Sequence, residues 1–123
     1  MDVKKCFDTY VLMEVALGNK KFADYVHSDF IITDLTLAEF YAVLLREFGE
    51  QTADYWYNKF KHYSTTVIKS TLINAIKFRY KYRKRKISFF DAVGYVFSLE
   101  NNFPFVTGDK EFENFKGVEF KKK

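Results

Sequence analysis

Four carboxylates follow predicted strands or begin predicted helices, and together they could form one acidic site. They are Asp8, Glu39, Asp91 and Asp109. Ligands of open α/β sheets collect at the carboxyl ends of the strands, so all four side chains can converge on one edge. Like charges in one pocket repel and raise each other's pKa, and a hard divalent cation removes that repulsion. Mg²⁺ and Mn²⁺ prefer oxygen ligands, and water activated by such a cation can attack a phosphodiester.

Each carboxylate also has a purely structural explanation. Acidic side chains are favoured at helix N-termini by capping and by the helix dipole. The segment Thr36-x-x-Glu39 fits a capping box, Ser88-x-x-Asp91 is a near variant, and Asp8 and Asp109 can each be simple N-caps. Composition and spacing therefore leave the catalytic and the capping explanations open.

The positions of apolar residues predict short strands separated by helices. Strands are predicted at 3–7, 30–33, 105–106 and 118–120, and helices at 9–17, 21–27, 37–48, 51–60, 67–82 and from residue 89 onward. Segment 62–66 is either a strand or an extended connector. Strands joined by helical crossovers predict a parallel sheet in an α/β sandwich.

Two expectations concern the faces and the end of these elements. The side chains of the helix 67–82 that are expected to face inward are Ile68, Leu72, Ile76 and Tyr80. The lysine tail 121–123 is expected to be disordered.

Composition indicates a soluble globular protein of one domain spanning residues 1–123, with 48% hydrophobic and 29% charged residues. Its one cysteine, Cys6, cannot form an internal disulfide, which fits a reducing cytoplasm, and is expected to be a small core residue. We expect no signal peptide and no membrane span, because no stretch approaches roughly 20 apolar residues. The net charge of +4 mildly favours an anionic partner.

Four short motifs occur in an order that resembles the PIN-domain ribonucleases, and among them the small single-domain toxins of the VapC type. The motifs are Phe7-Asp8-Thr9-x-x-Leu12, Leu37-Ala38-Glu39-Phe40, Ser88-Phe89-Phe90-Asp91-Ala92 and Val106-Thr107-Gly108-Asp109-Lys110-x-Phe112. The ordered set, ending in T-G-D-x-x-F after a strand, is more specific than any one motif. The resemblance extends from Lys5 to the last predicted strand.

This resemblance implies a three-layer α/β/α sandwich around a central parallel sheet, and endonucleolytic cleavage of RNA that depends on Mg²⁺ or Mn²⁺. The acids that it implies as catalytic and metal-binding residues are Asp8, Glu39, Asp91 and Asp109. The Thr107 hydroxyl is expected to support them. Homodimers are also implied, as is silencing by a small antitoxin that threads a peptide toward the pocket. One departure is Tyr10, where many relatives carry a small polar residue, and this departure is expected to alter access to the pocket.

Seven of the ten residues from 77 to 86 are Lys or Arg, interleaved with aromatic rings. This pattern is typical of a surface that binds phosphates and offers rings for stacking on bases. It also fits a solvated helix end whose cations suit the helix dipole. The residues expected to bind RNA under the first interpretation are Arg79, Arg83, Lys84 and Arg85.

Three other functions compete with a toxin ribonuclease. A housekeeping RNA-processing nuclease would share the chemistry, and the presence of a small antitoxin gene directly upstream would favour the toxin. A non-catalytic RNA- or protein-binding domain would use its acids only as caps. A phosphoacceptor signalling domain would need an acidic pair after the first strand, and Phe7-Asp8 does not provide one.

Overall fold

A computed structural model describes residues 4–123, and within this range five short parallel strands form one sheet. Strands β1 to β5 are Lys5–Phe7, Phe30–Thr33, Ser64–Thr65, Phe105–Thr107 and Val118–Phe120. Helices α1 to α5 are Thr9–Ala16, Asp34–Phe48, Glu50–Phe60, Lys69–Lys81 and Phe89–Glu100. Short 3₁₀ helices cover Lys20–His27, Lys61–Tyr63 and Lys110–Phe112. In this described part of the chain, no helix combines the length and the apolar character that crossing a membrane requires.

The sheet has the order β3-β2-β1-β4-β5, and every neighbouring pair of strands is parallel. Helices α1, α2 and α3 pack on one face, and α4 and α5 pack on the other. The predicted three-layer α/β/α sandwich with a central parallel sheet is therefore confirmed. The crossover helices place the carboxyl ends of β1, β2 and β4 side by side along one edge.

Register pairs on the two central strands show how the side chains divide between the two cores. Cys6 pairs with Phe105, and both are buried against α4 and α5. Phe7 pairs with Val106, and both are buried against the other helical layer. Successive side chains of a strand point to opposite faces, so even three-residue strands contribute to both cores. Burial raises the pKa of the Cys6 thiol to about 12, as expected of a core residue.

Helix α2 begins three residues earlier than predicted, at Asp34 rather than at residue 37. Thr33 is its N-cap, because the Thr33 hydroxyl accepts a hydrogen bond from the backbone N–H of Thr36 at 3.0 Å. The predicted capping box Thr36-x-x-Glu39 is therefore wrong, since Thr36 lies inside the helix. Gly49, at φ 92°, separates α2 from α3 in a backbone conformation that glycine adopts readily.

The inward face predicted for α4 is wrong at three of its four positions. Ile68, Ile76 and Tyr80 are 68%, 50% and 69% exposed, and only Leu72 is half-buried. The buried side instead presents Thr71 and Ala75, with Phe78 packed against the same core. Small side chains at positions 71 and 75 let α4 lie close to α5. The prediction was wrong because the periodicity of apolar residues favoured the larger side chains, which lie on the exposed side.

Two further predictions have clear outcomes, and a third falls partly outside the described residues. Segment 62–66 contains the end of a 3₁₀ turn and the two-residue strand β3. Residue 3, where the first strand was predicted to begin, lies outside the described residues. The tail is ordered rather than disordered, because Lys121 N–H donates to the Thr107 carbonyl at 2.8 Å and Lys123 N–H donates to the Tyr10 hydroxyl at 3.0 Å.

Candidate active site

Asp8 is the most buried of the predicted acids, with 2% of its surface exposed. It follows β1 directly and caps α1, since its Oδ1 accepts from the Val11 N–H at 3.1 Å. Its second oxygen, Oδ2, accepts from the Thr107 hydroxyl. Oδ1 therefore serves as a helix cap, as the structural explanation predicted. Oδ2 plays no part in capping and is bonded to Thr107 instead.

Thr107 connects two of the acids. Its side chain is fully buried at the end of β4, where the hydroxyl donates to Asp8 and accepts from the Asp109 backbone N–H at 3.0 Å. Asp109 also caps the following 3₁₀ turn, because its Oδ1 accepts from the Glu111 N–H at 3.0 Å. The predicted supporting residue therefore fixes the relative position of β1 and β4 side chains.

Glu39 lies in the second turn of α2 and is half-buried. Its Oε1 accepts a hydrogen bond from the Thr9 hydroxyl at the start of α1. Because Thr33 caps α2, Glu39 is not needed as a capping partner. Its orientation toward the β1 end of the sheet comes from a residue that the sequence did not assign to the site.

Asp91 lies in the first turn of α5, and its backbone N–H donates to the Ser88 hydroxyl at 3.1 Å. Burial, together with the charges of Glu39 and Asp109, raises the pKa of Asp91 from 3.8 to about 7. Burial and the charge of Asp91 also raise the pKa of Asp8 well above its usual value, although hydrogen bonds from Thr107 and Val11 oppose this shift. The four acids are therefore electrostatic neighbours, as was predicted from their positions at strand ends and near helix starts.

A cavity of about 380 Å³ contains all four acids. Its other lining residues are Thr9, Tyr10, Gly108, Lys110 and Glu111. Glu111, a fifth carboxylate, was missed by the sequence analysis, and its only signal was its position two residues after Asp109. A larger groove of about 780 Å³ lies between α2 and α3 and contains none of the four acids. We assign the site to the smaller cavity because only this cavity collects the perturbed carboxylates.

Tyr10 forms one wall of the acidic cavity, as its departure from the family pattern suggested. Its ring lies against Gly108, where a Cβ atom would stand 2.1 Å from Tyr10 Cε1 and 2.6 Å from the Lys121 carbonyl oxygen. Only glycine fits at position 108 while the ring and the tail occupy these positions. The Tyr10 ring and the ordered tail therefore narrow the cavity on the side of β5.

The predicted RNA-binding residues do not line this cavity. Arg79 lies near the end of α4, and Arg83, Lys84 and Arg85 follow in the connection to α5, where all four are exposed. Arg85 reaches the rim of the acidic cavity, because its guanidinium donates to the Glu111 carbonyl at 2.8 Å.

Comparison with known proteins identifies the family. The PIN domain family matches residues 5–118, which is nearly the whole chain. The chain belongs to the PIN domain family, and the resemblance seen in its motifs is confirmed. No curated protein sequence gives a significant match.

Solved structures with the same fold include toxins and toxin–antitoxin complexes. The sarcin-ricin loop cleaving toxin VapC20 of Mycobacterium tuberculosis superimposes with a TM-score of 0.75 at 16% identity, over 93% of this chain and 98% of that chain. VapBC2 of Rickettsia felis, bound to a DNA fragment from its promoter, gives 0.74 at 12% identity over 97% and 98%. A Klebsiella pneumoniae toxin–antitoxin complex gives 0.70 at 17% identity over 94% and 95%. At these identities the likeness is one of fold.

Proposed function

We propose that this chain is a metal-dependent endoribonuclease that hydrolyses RNA phosphodiester bonds. The observation that carries the proposal is the convergence of Asp8, Glu39, Asp91 and Asp109 on one cavity at the carboxyl edge of the sheet. A binding domain that used its acids only as caps would have no reason to collect them at a cost in buried negative charge. Membership in the PIN domain family supports the same reaction class.

The donor set of the cavity fits Mg²⁺ or Mn²⁺. Carboxylate oxygens are the hard ligands that these ions prefer, and a dication would relieve the repulsion that raises the pKa values of Asp8 and Asp91. Within residues 4–123, no three of these acids already stand close enough to form a complete ligand set. Mg²⁺ usually keeps several waters when one or two carboxylates bind it. When bound, the ion lowers the pKa of water and neutralises charge on the phosphate.

The chain's own residues prepare this cavity. Thr107 holds one oxygen of Asp8, and Thr9 holds one oxygen of Glu39, so neither carboxylate rotates freely. Lys110 is the one cationic side chain among the described residues that line the cavity, and it can bind a phosphate oxygen beside the acids. The Tyr10 ring, which also lines the cavity, limits the space for substrate.

The likeness to VapC folds supports a finer proposal, in which the nuclease is the toxin of a toxin–antitoxin pair in the cytoplasm. A small antitoxin and a second copy of the chain are the proposed protein partners. A small upstream gene whose product binds the chain would support the toxin, and a nuclease without such a partner would indicate housekeeping RNA processing. The mass in solution decides between monomer and homodimer.

The purified chain is expected to cleave RNA only when Mg²⁺ or Mn²⁺ is present. Without a cation, the carboxylates of the cavity repel a phosphate, and the single cation Lys110 does not offset them. Chelation with EDTA is therefore expected to stop cleavage, and added Mn²⁺ is expected to restore it. Gel analysis of a mixture of structured RNAs measures cleavage in EDTA and again after Mn²⁺ is added. Cleavage that continues unchanged in EDTA would contradict the metal requirement.

A further inference from the structure

A second cavity, of about 310 Å³, lies where α4 ends and the connection to α5 begins. We name it the arginine cleft, since three arginines and two tyrosines line it beside two isoleucines. Its polar and aromatic lining residues are Arg79, Tyr80, Tyr82, Arg83 and Arg85. None of these residues lines the acidic cavity, so the cleft is a separate feature of the surface.

Backbone carbonyls orient the three guanidinium groups of the cleft. Arg79 Nε donates to the Ile87 carbonyl at 3.0 Å, and Arg83 donates to the Tyr80 carbonyl at 2.8 Å. Arg85 donates to the Glu111 carbonyl, with its guanidinium 4.7 Å from the centre of the Phe115 ring. A guanidinium has five N–H donors, so each arginine keeps donors for a ligand while its position is already fixed.

The positive charge of this region has no acidic counterpart. Within the described range, the ion pairs are Lys5–Glu119, Arg46–Glu47 and Lys123–Glu14, and none involves residues 77–86. Seven cations in ten residues repel one another unless an anion binds among them. The chemistry of the cleft therefore fits a ligand with several negative charges.

Aromatic groups indicate which anion fits. The Tyr80 ring is 69% exposed, and the Arg83 guanidinium lies 4.4 Å from its centre on one side. An unpaired base can stack on such a ring while guanidinium groups bind the adjacent phosphates. A base held in a duplex cannot, because its faces are already stacked on its neighbours.

Glu111 connects the cleft to the acidic cavity. It lines the acidic cavity, and it also accepts hydrogen bonds from the backbone N–H of Lys86 through its Oε1 and from Arg85 through its carbonyl. An RNA strand bound in the arginine cleft would therefore emerge from the cleft beside the acidic cavity, which is the proposed site of cleavage.

We propose that the arginine cleft binds single-stranded RNA and guides it to the acidic cavity, an inference that rests on the proposed nuclease function. Arg83 binds phosphates in the cleft, and Tyr80 stacks on a base. Lys84 binds phosphates in an adjoining cavity that shares Tyr82, Arg83 and Arg85 with the cleft. Arg79 and Arg85 hold the cleft in shape as well as contributing charge. The substrate class that follows is RNA with an unpaired segment next to the cleavage position.

The test measures binding of a 12-nucleotide single-stranded RNA to the Asp91→Asn protein in EDTA, so that cleavage does not interfere. Adding Arg83→Gln and Lys84→Gln is expected to weaken binding at least about tenfold and to reduce the slope of log K against log salt by about 1.4. The matched control is Lys20→Gln with Lys21→Gln, which removes the same charge from exposed residues on the opposite helical layer and is expected to change neither quantity.

Tyr80→Leu tests the ring separately. It is expected to weaken binding of the single strand about tenfold and to leave binding of a duplex of the same length unchanged. The inference is overturned if the Arg83 and Lys84 pair changes binding no more than its control, or if Tyr80→Leu affects duplex and single strand equally.

These measurements separate failure of this inference from failure of the proposed function. If RNA binding depends on the cleft but the unaltered chain shows no metal-dependent cleavage, the inference about the cleft is kept and the proposed nuclease function is overturned. Metal-dependent cleavage with an unchanged KM after loss of Arg83 and Lys84 would retain the nuclease and overturn the cleft.

Discussion

Replacing Asp91 with asparagine is expected to abolish RNA cleavage while the fold is retained. The substitution keeps the size of the side chain and the hydrogen bond from the backbone N–H of residue 91 to Ser88, so α5 remains capped. It removes one of the charges that would hold the cation. We expect the rate to fall at least about 100-fold, because the loss of residues that merely support metal ligands already costs about 10- to 100-fold.

Cleavage of a labelled RNA at equal protein concentration measures this effect. Asp34→Asn is the matched control, since Asp34 is also a first-turn acid of a helix but is exposed and lies outside the acidic cavity. Its cleavage rate is expected to equal that of the unaltered chain. An active Asp91→Asn protein would remove Asp91 from the catalytic site, and an equal loss in Asp34→Asn would assign both effects to helix capping.

The metal-free protein is expected to lose stability as the pH rises from about 4 to about 7. Asp91 has a folded-state pKa of about 7 against an ordinary value of 3.8, so the folded chain holds a proton that the unfolded chain releases. The contribution of Asp91 to the free energy of unfolding is therefore fully present below the unfolded-state pKa, and it is lost as the pH rises through this window. For Asp91 the loss is at most about 4 kcal/mol, at roughly 1.4 kcal/mol per pKa unit. The raised pKa of Asp8 acts in the same direction.

Urea unfolding in EDTA at several pH values measures this dependence. The Asp91→Asn protein lacks the titrating group, so the difference in its free energy of unfolding relative to the unaltered chain is expected to grow in its favour between pH 4 and pH 7. Groups outside the cavity are the same in both proteins and cancel in this difference. A difference that is constant with pH would show that the environment of Asp91 in the cavity is not the one described here.

The acidic site was largely predictable because strand ends and helix starts can be read from residue types. Asp8 and Asp109 each follow a short apolar run, and parallel strands bring such positions to one edge. The sequence could not decide between a capping and a metal-binding role for Asp8, whose Oδ1 caps α1 while its Oδ2 accepts from Thr107. For Glu39 the capping box remained open beside the catalytic role, because Thr33 and Thr36 are equally good caps in sequence and only the start of α2 distinguishes them.

The missed features depend on contacts between distant parts of the chain. The inward face of α4 was predicted from large apolar residues, but close packing on α5 selects Thr71 and Ala75. The order of the tail depends on pairing beside β4 and on the Tyr10 hydroxyl, 113 residues away along the chain. Glu111 lies in the 3₁₀ turn that follows Asp109, and this turn brings it to the cavity. None of these contacts produces a pattern that can be recognised in a short stretch of sequence.

Titration of Mn²⁺ into the purified chain and into the Asp91→Asn protein at pH 7, followed by the heat of binding, tests the central claim most directly. If the four carboxylates form a cation site, the unaltered chain binds Mn²⁺ saturably and the variant binds at least about tenfold more weakly. Absence of binding to the unaltered chain, or equal binding by both proteins, would contradict the claim and leave the four acids as helix caps.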